Sequence, residues 1–124
     1  MKPWHIMLTG QAEADLRGVY DEYIAFTLLE PGVAAKLAWR IVDRISGLKT
    51  YPQSYALYPK EPWKSRGLRR ANEKNYAIFF VPVKSKNTIV VIRILYGGRD
   101  IERILDETPN ETEQDLQETG ALGE

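Results

Sequence analysis

The sequence predicts an α+β domain, in which a helical hairpin packs on one face of a small antiparallel sheet. Two helical segments follow a short apolar run near the start of the chain, and a later stretch alternates apolar and polar residues as strands do. The predicted element order is β-α-α-β-β-β. Because each helix has one apolar face to bury, both helices cover the same sheet face, and we expect the opposite sheet face to be open.

The first half of the chain contains one strand and the two helices. Residues 4–9 form a short apolar run that is typical of a strand. Apolar residues then recur every three or four positions, which predicts an amphipathic helix capped by Thr9 or Gly10. A Pro-Gly pair at residues 31–32 interrupts this spacing, which resumes over residues 33–48. Such a short connection makes the two helices antiparallel neighbours.

The second half of the chain contains the remaining strands. Residues 50–64 include three prolines and several tyrosines, so we expect an irregular loop there. Strands are predicted over residues 67–71, 75–83 and 88–96, the last being the richest in β-branched residues. Residues 101–105 add a short helix or turn. Because short connections join the last three strands, we expect these strands to form an antiparallel meander.

Length and composition predict one soluble domain. A chain of 124 residues is long enough to bury about two-thirds of its unfolded surface without metals or disulfides. The absence of cysteine excludes a disulfide, a thiolate metal site and a cysteine nucleophile. No secretion signal or membrane-spanning segment is evident, so we expect a cytoplasmic protein with no membrane association.

The charges are segregated along a chain whose formal net charge is zero. Residues 106–124 contain seven acidic side chains and no Lys or Arg, whereas residues 1–105 carry a net charge of +7. The excess of basic side chains lies within residues 60–105, which predicts binding to a polyanion or an acidic protein surface there. We expect residues 1–105 to form the domain and residues 106–124 to form an acidic, disordered tail.

Several short segments together resemble one protein family. They are Leu8-Thr9 with Ala12 and Asp15-Leu16, Tyr23-Ile24, Leu48-Lys49-Thr50-Tyr51-Pro52, Gly67-Leu68-Arg69, Tyr76-Ala77-Ile78-Phe79-Phe80, and Arg93-Ile94-Leu95-Tyr96-Gly97-Gly98-Arg99-Asp100. In this order, over residues 4–105, they resemble the RelE/ParE superfamily of type II toxin–antitoxin toxins, which includes plasmid stabilisation toxins. The resemblance implies the element order given above, growth inhibition, and a cognate antitoxin that wraps a segment over the toxin in a hetero-oligomer.

The two branches of that superfamily differ in chemistry. RelE-like members cleave mRNA on the ribosome, whereas ParE-like members inhibit DNA gyrase. Metal-independent RNA cleavage needs a base, an acid and cations that stabilise the charged transition state. By resemblance, Arg99 matches the arginine that follows the last strand of the RelE-like nucleases, and Arg69 lies in the preceding basic strand. Tyr96 or Glu73 is then the candidate for proton transfer.

Two departures from the nuclease pattern favour the ParE-like branch. Ala77 stands where the nucleases usually carry a second basic residue in the central strand. Leu105 stands where they tend to carry a tyrosine or histidine. We therefore expect a ParE-like inhibitor of DNA gyrase that acts by binding, with a RelE-like ribosome-dependent mRNA endoribonuclease as the alternative. A relative without toxicity is a third possibility.

Other basic and aromatic residues are candidates for binding the target or the antitoxin. The predicted target-binding residues are Lys64, Arg66, Arg70 and Arg93. Trp63 lies among basic residues, where it either stacks on bases or anchors a protein partner, or else pins its loop to the domain. Trp39 and Val42 lie off the main apolar stripe of the second helix, which indicates either an antitoxin surface or core packing.

The sequence contains no pattern for a cofactor or a metal. His5 is the only histidine, and we assign it no role. No carboxylate pair or Gly-rich loop has the spacing of a metal or nucleotide site. We therefore expect neither a metal nor another cofactor.

Overall fold

The computed structural model describes residues 4–27 and 31–110. The helices and strands are β1 (His5–Leu8), α1 (Gly10–Thr27), α2 (Pro31–Gly47), β2 (Arg69–Glu73), β3 (Tyr76–Val83), β4 (Thr88–Tyr96) and α3 (Ile101–Glu107). The predicted α+β class and the order β-α-α-β-β-β are confirmed, and α3 follows the last strand. No helix in these ranges is long and apolar enough to cross a membrane.

The four strands form one sheet in the order β1-β4-β3-β2. β2, β3 and β4 are the predicted antiparallel meander. β1 differs from the prediction, because it pairs with β4 in parallel, with His5 opposite Thr88 and Leu8 opposite Val91. The helical hairpin and two further strands separate β1 from β4 along the chain, so no tight turn forces these two strands to run in opposite directions.

The helical hairpin covers one face of the sheet, which we call the hairpin face. Val19 of α1 and Ile41 and Ile45 of α2 pack in the same buried cluster as Ile78 and Phe80 of β3. The helical spacing places these apolar residues on one side of each helix, and the alternation along β3 places its even-numbered side chains beneath them. This face agrees with the sequence prediction.

The opposite face of the sheet is also covered, so the prediction that it is open is wrong. We call it the loop face, because residues 58–68 and α3 pack on it. Trp63 is 1% exposed and its indole Nε1 donates a hydrogen bond to the carbonyl oxygen of Leu105, at 2.8 Å. The Tyr58 ring meets the Phe79 ring edge-on, with 5.9 Å between centroids. The proline-rich loop, together with α3, therefore covers the apolar side chains of the sheet that α1 and α2 do not reach.

Two polar side chains form hydrogen bonds with backbone groups of β4, along the part of this strand that extends beyond β1. The Thr9 hydroxyl donates to the carbonyl oxygen of Ile92, at 3.0 Å. The Asp15 carboxylate accepts from the backbone N–H of Ile94, at 2.9 Å, and from the guanidinium of Arg93. Buried backbone groups need such partners, and here α1 and the residue before it provide them.

The residues directly after position 105 pack against the domain. α3 continues to Glu107, and Thr108 is buried. The Thr108 hydroxyl donates to the carbonyl oxygen of Ile104 at 2.6 Å and accepts from Arg93 at 3.1 Å. These contacts attach the first residues of the predicted acidic tail to the domain, while residues 111–124 of that tail lie outside the described residues.

Candidate functional site

A groove of about 360 Å³ lies at one end of the sheet, where the turn between β2 and β3 meets the end of β4. We call it the sheet-end groove. Its lining residues are Arg70, Asn72, Lys74, Asn75, Tyr76, Tyr96, Gly97 and Gly98. This lining contains two cations and no carboxylate, so the groove is electropositive.

A tight turn brings β2 and β4 together at the groove. Glu73 and Tyr76 are paired across β2 and β3, which leaves Lys74 and Asn75 as a two-residue connection. Lys74 adopts a positive φ of 56°, as such hairpin turns require. The Asn75 carbonyl accepts a hydrogen bond from the Gly97 N–H, at 2.7 Å. The turn is therefore fixed directly to the segment that follows β4.

Tyr96 forms the aromatic wall of the groove. Its side chain is 44% exposed, and its ring meets the Tyr76 ring at 62° with 5.7 Å between centroids. A Cβ atom added at Gly98 would lie 2.9 Å from Cε1 of Tyr96, closer than real Cβ atoms approach a neighbour. Gly98 therefore leaves the space that the Tyr96 ring occupies in this orientation.

Arg70 and Lys74 supply the charge of the groove. Nε of Arg70 donates to Oδ1 of Asn72 at 3.0 Å, and its guanidinium carbon lies 5.5 Å from the centre of the Phe79 ring. Among the described residues, the two terminal nitrogens of Arg70 and the ammonium of Lys74 have no hydrogen-bond or ion-pair partner. Both groups are available to an anion.

The two predicted phosphate-binding arginines are not brought together. Arg99 is exposed beside the groove, where its backbone N–H donates to the carbonyl oxygen of Tyr96 at 3.1 Å. Arg69 begins β2, and Glu73 ends it four residues later, next to the turn that borders the groove. Arg69 is therefore about 13 Å along the strand from Glu73. It lies opposite Phe80, on the hairpin face, and donates to the carbonyl oxygen of Tyr55. Of the three predicted catalytic residues, only Tyr96 and Arg99 lie close in the structure.

Lys64 and Arg66 are exposed on the loop that covers the loop face. The guanidinium carbon of Arg66 lies 4.8 Å from the centre of the Trp63 ring. Because Trp63 itself is buried, it pins this loop, and its predicted alternatives of stacking on bases or anchoring a partner are wrong. Glu61 accepts from the hydroxyl and N–H of Ser65, and these hydrogen bonds lower the pKa of its carboxyl.

Arg93 lies inside the domain rather than on its surface. Its guanidinium makes two hydrogen bonds to the Asp15 carboxylate, at 2.7 and 2.9 Å, and a third to Thr108. The two side chains of the ion pair are 13% and 10% exposed. These contacts join β4, α1 and the segment after α3, and they already occupy the guanidinium of this predicted target-binding residue.

Sequence reasoning missed most of the groove. Asn72, Lys74 and Asn75 were not predicted as site residues, although a polar pair between two strands indicates a tight turn. On α2, Trp39 is 71% exposed and Val42 is also exposed, so the alternative of core packing is wrong for them. Among the described residues, no group of three or more His, Asp or Glu side chains is placed to hold a metal ion.

The comparisons with known proteins agree with this architecture. The family model of the ParE toxin of the type II toxin–antitoxin system parDE matches residues 6–101. A chromosomal ParDE toxin–antitoxin structure from P. aeruginosa is similar, with 25% identity, a TM-score of 0.60, and coverage of 75% of this chain and 95% of that one.

The toxin–antitoxin complex RelBE2 from Mycobacterium tuberculosis shares the fold. It has 18% identity, a TM-score of 0.53, and coverage of 77% of this chain and 99% of that one. No curated protein matches the sequence.

Proposed function

Because this chain belongs to the ParE toxin family of type II toxin–antitoxin systems, we propose that it arrests growth by binding DNA gyrase and inhibiting it. The family match over residues 6–101 carries this proposal. Gyrase works on chromosomal DNA, so the proposed place of action is the cytoplasm.

The geometry of the site supports inhibition by binding over RNA cleavage. Metal-independent cleavage of RNA needs an acid, a base and cations that converge on one phosphate. Arg69 and Arg99 do not converge, and the lining of the sheet-end groove contains no carboxylate or histidine. A toxin that acts by binding needs an exposed complementary surface and no such convergence.

Two assays on one toxin preparation test the proposal. We expect the purified toxin to block DNA supercoiling by gyrase and to leave mRNA intact on translating ribosomes. A preparation that arrests growth but cuts mRNA on the ribosome and does not affect gyrase contradicts gyrase inhibition. A toxin heated above its unfolding temperature is the control for both assays.

The RelE-like endoribonuclease is the second candidate, favoured by one juxtaposition. Tyr96 and Arg99 lie three residues apart at the exposed end of β4, so a hydroxyl that lines the groove is followed closely in the chain by an exposed guanidinium. Under this reading, Arg99→Ala abolishes mRNA cleavage and growth arrest with little loss of folding. Unchanged toxicity of Arg99→Ala removes Arg99 from the site.

A cognate antitoxin is the proposed regulatory partner, and the exposed side of α2 is its proposed docking surface. Trp39 and Val42 are neighbours one helical turn apart, and the cations Lys36 and Arg40 lie exposed on the same helix. Exposed tryptophans often anchor protein interfaces. An antitoxin segment with apolar and acidic side chains is complementary to this surface, and the similar ParDE and RelBE2 structures are toxin–antitoxin systems.

Co-expression tests the antitoxin surface. The candidate antitoxin is the product of a neighbouring gene for a small DNA-binding protein. We expect Trp39→Asp to leave growth arrest intact and to prevent rescue by that protein, whereas Lys49→Asp, at an exposed position just past α2, keeps the rescue. Full rescue of the Trp39→Asp variant contradicts the proposed surface.

A further inference from the structure

We propose that the sheet-end groove binds a single nucleic-acid strand, with a phosphate held by Arg70 and Lys74 and a base packed against Tyr96. This inference goes beyond the proposed function, because the toxin alone would bind the strand whether or not gyrase is present. DNA and RNA strands share the chemistry that the groove recognises.

The charges around the groove favour an anionic ligand. Two cations on the loop face are already paired, since Lys60 contacts Glu102 and Arg103 contacts Asp100 and Glu107. Arg70 and Lys74 have no carboxylate partner among the described residues, and none lines the groove. Two unpaired cations facing one concave surface attract a polyanion, and the forked end of an arginine can hold two oxygens of a phosphate.

Asn72 adds a neutral donor beside these cations. Its Oδ1 accepts the hydrogen bond from Nε of Arg70, so its amide NH₂ is the group left for a ligand. The same bond, together with the packing of Arg70 over Phe79, holds the guanidinium in place before any ligand arrives. This arrangement suits a phosphate oxygen, which accepts hydrogen bonds and cannot donate them.

The size and the aromatic wall favour one strand over a duplex or a protein helix. About 360 Å³ is near the lower end of ligand pockets, which run from about 300 to 1,000 Å³. An exposed tyrosine ring offers a stacking surface for a base of any sequence. Bases inside a duplex already stack on each other, so only a single or splayed strand presents a free base face to Tyr96.

Fluorescence anisotropy of a labelled oligonucleotide tests the inference directly. The probes are oligo-dT and oligo-U of about 20 residues and a duplex of equal length, titrated with wild-type toxin over a range of salt concentrations. We expect both single strands to bind more tightly than the duplex. The ratio of the oligo-dT to the oligo-U affinity identifies which strand type is preferred.

Two variants with matched controls locate the binding. Asparagine tolerates the positive φ at position 74, so Lys74→Asn preserves the turn. We expect this variant to reduce the magnitude of the negative slope of log K against log salt by about 0.7. Tyr96→Leu is expected to weaken binding about tenfold without changing that slope. Lys86→Asn, in the turn at the other end of the sheet, and Tyr51→Leu, at an exposed tyrosine outside the groove, should bind as wild type.

Three results would overturn the inference. These are no strand binding at low salt, equal losses in Lys74→Asn and Lys86→Asn, or tighter binding of a labelled oligo-Glu peptide than of any strand. The last result identifies an acidic protein segment as the ligand. The gyrase assay on the same preparation is independent: inhibition without strand binding rejects only this inference, and strand binding without inhibition rejects only the proposed function.

Discussion

The two faces of the sheet are buried to a similar degree by very different means. On the hairpin face, α1 and α2 contribute a repeated row of apolar side chains. On the loop face, the sheet is covered by one buried tryptophan, a short helix and an irregular loop. Trp63 is the largest buried side chain, so its loss should remove more of the cover of the loop face than the loss of any one residue of α1 or α2 removes from the hairpin face.

The largest expected effect tests this dependence on one side chain. Trp63→Ala removes a buried indole, its hydrogen bond to Leu105 and its contact with Arg66. We expect the free energy of unfolding to fall by about 4 kcal/mol, measured by urea denaturation followed by circular dichroism. Trp39→Ala, at the exposed tryptophan of α2, is the control and should change it by less than about 0.5 kcal/mol. Equal losses would show that the buried indole does not hold the loop on the loop face.

A second prediction concerns the ion pair that joins the two faces at the edge of β4. Asp15→Asn keeps an acceptor for the Ile94 N–H and leaves the Arg93 guanidinium, which is only 13% exposed, without a counter-charge. We expect a loss of about 3 kcal/mol in the free energy of unfolding, because the remaining charge is largely desolvated.

The control for the ion pair is Asp43→Asn, at an exposed position of α2. Arg93→Met in the Asp15→Asn background should recover part of the loss, because it removes the unpaired charge. If Asp15→Asn is no less stable than Asp43→Asn, the ion pair is not what joins α1 to β4.

How far the sequence predicts the structure also differs between the faces. The spacing of Val19, Ile41 and Ile45 identifies the hairpin face directly, because a helix repeats every 3.6 residues. Nothing comparable marks Trp63, since a loop has no period and its fold depends on contacts with residues some 40 positions away, such as Leu105. The parallel pairing of β1 was missed for the same reason, as no local signal specifies a partner so distant in sequence.

The site divides in the same way. Tyr96 and Arg99 were predicted because they lie close together in the sequence and match a family pattern. Arg69 was predicted from its place in the basic strand that resembles the family, and Arg93 from its charge, and neither signal indicates which cations already have partners. The hydrogen bond from Arg69 to Tyr55 and the ion pair of Arg93 with Asp15 are tertiary contacts that no spacing rule reveals.

A smaller effect is expected at the start of the hairpin. Thr9→Ala removes the hydroxyl that accepts from the Ala12 N–H and donates to the Ile92 carbonyl, so it affects both the cap of α1 and the edge of β4. We expect a loss of about 1 to 2 kcal/mol in the free energy of unfolding, measured by urea denaturation. Thr9→Ser keeps both bonds and should retain most of the stability. A serine variant as unstable as the alanine variant would indicate that the methyl group matters and the hydroxyl does not.

The smallest effect is expected in the turn that holds Trp63 on the loop face. The Ser65 hydroxyl, and after it the Ser65 N–H, lower the pKa of Glu61 below its ordinary value of 4.5. This contribution to stability is therefore present above pH 4.5 and is lost as the pH falls through the lowered pKa. In Ser65→Ala the N–H still donates, so we expect the pKa of Glu61 to rise and yet stay below 4.5, as read from an NMR titration of its carboxyl carbon. Ser85→Ala, in the turn before β4, should leave that titration unchanged. If Ser65→Ala also leaves it unchanged, the hydroxyl does not order the turn, and the loop face relies on Trp63 still more heavily.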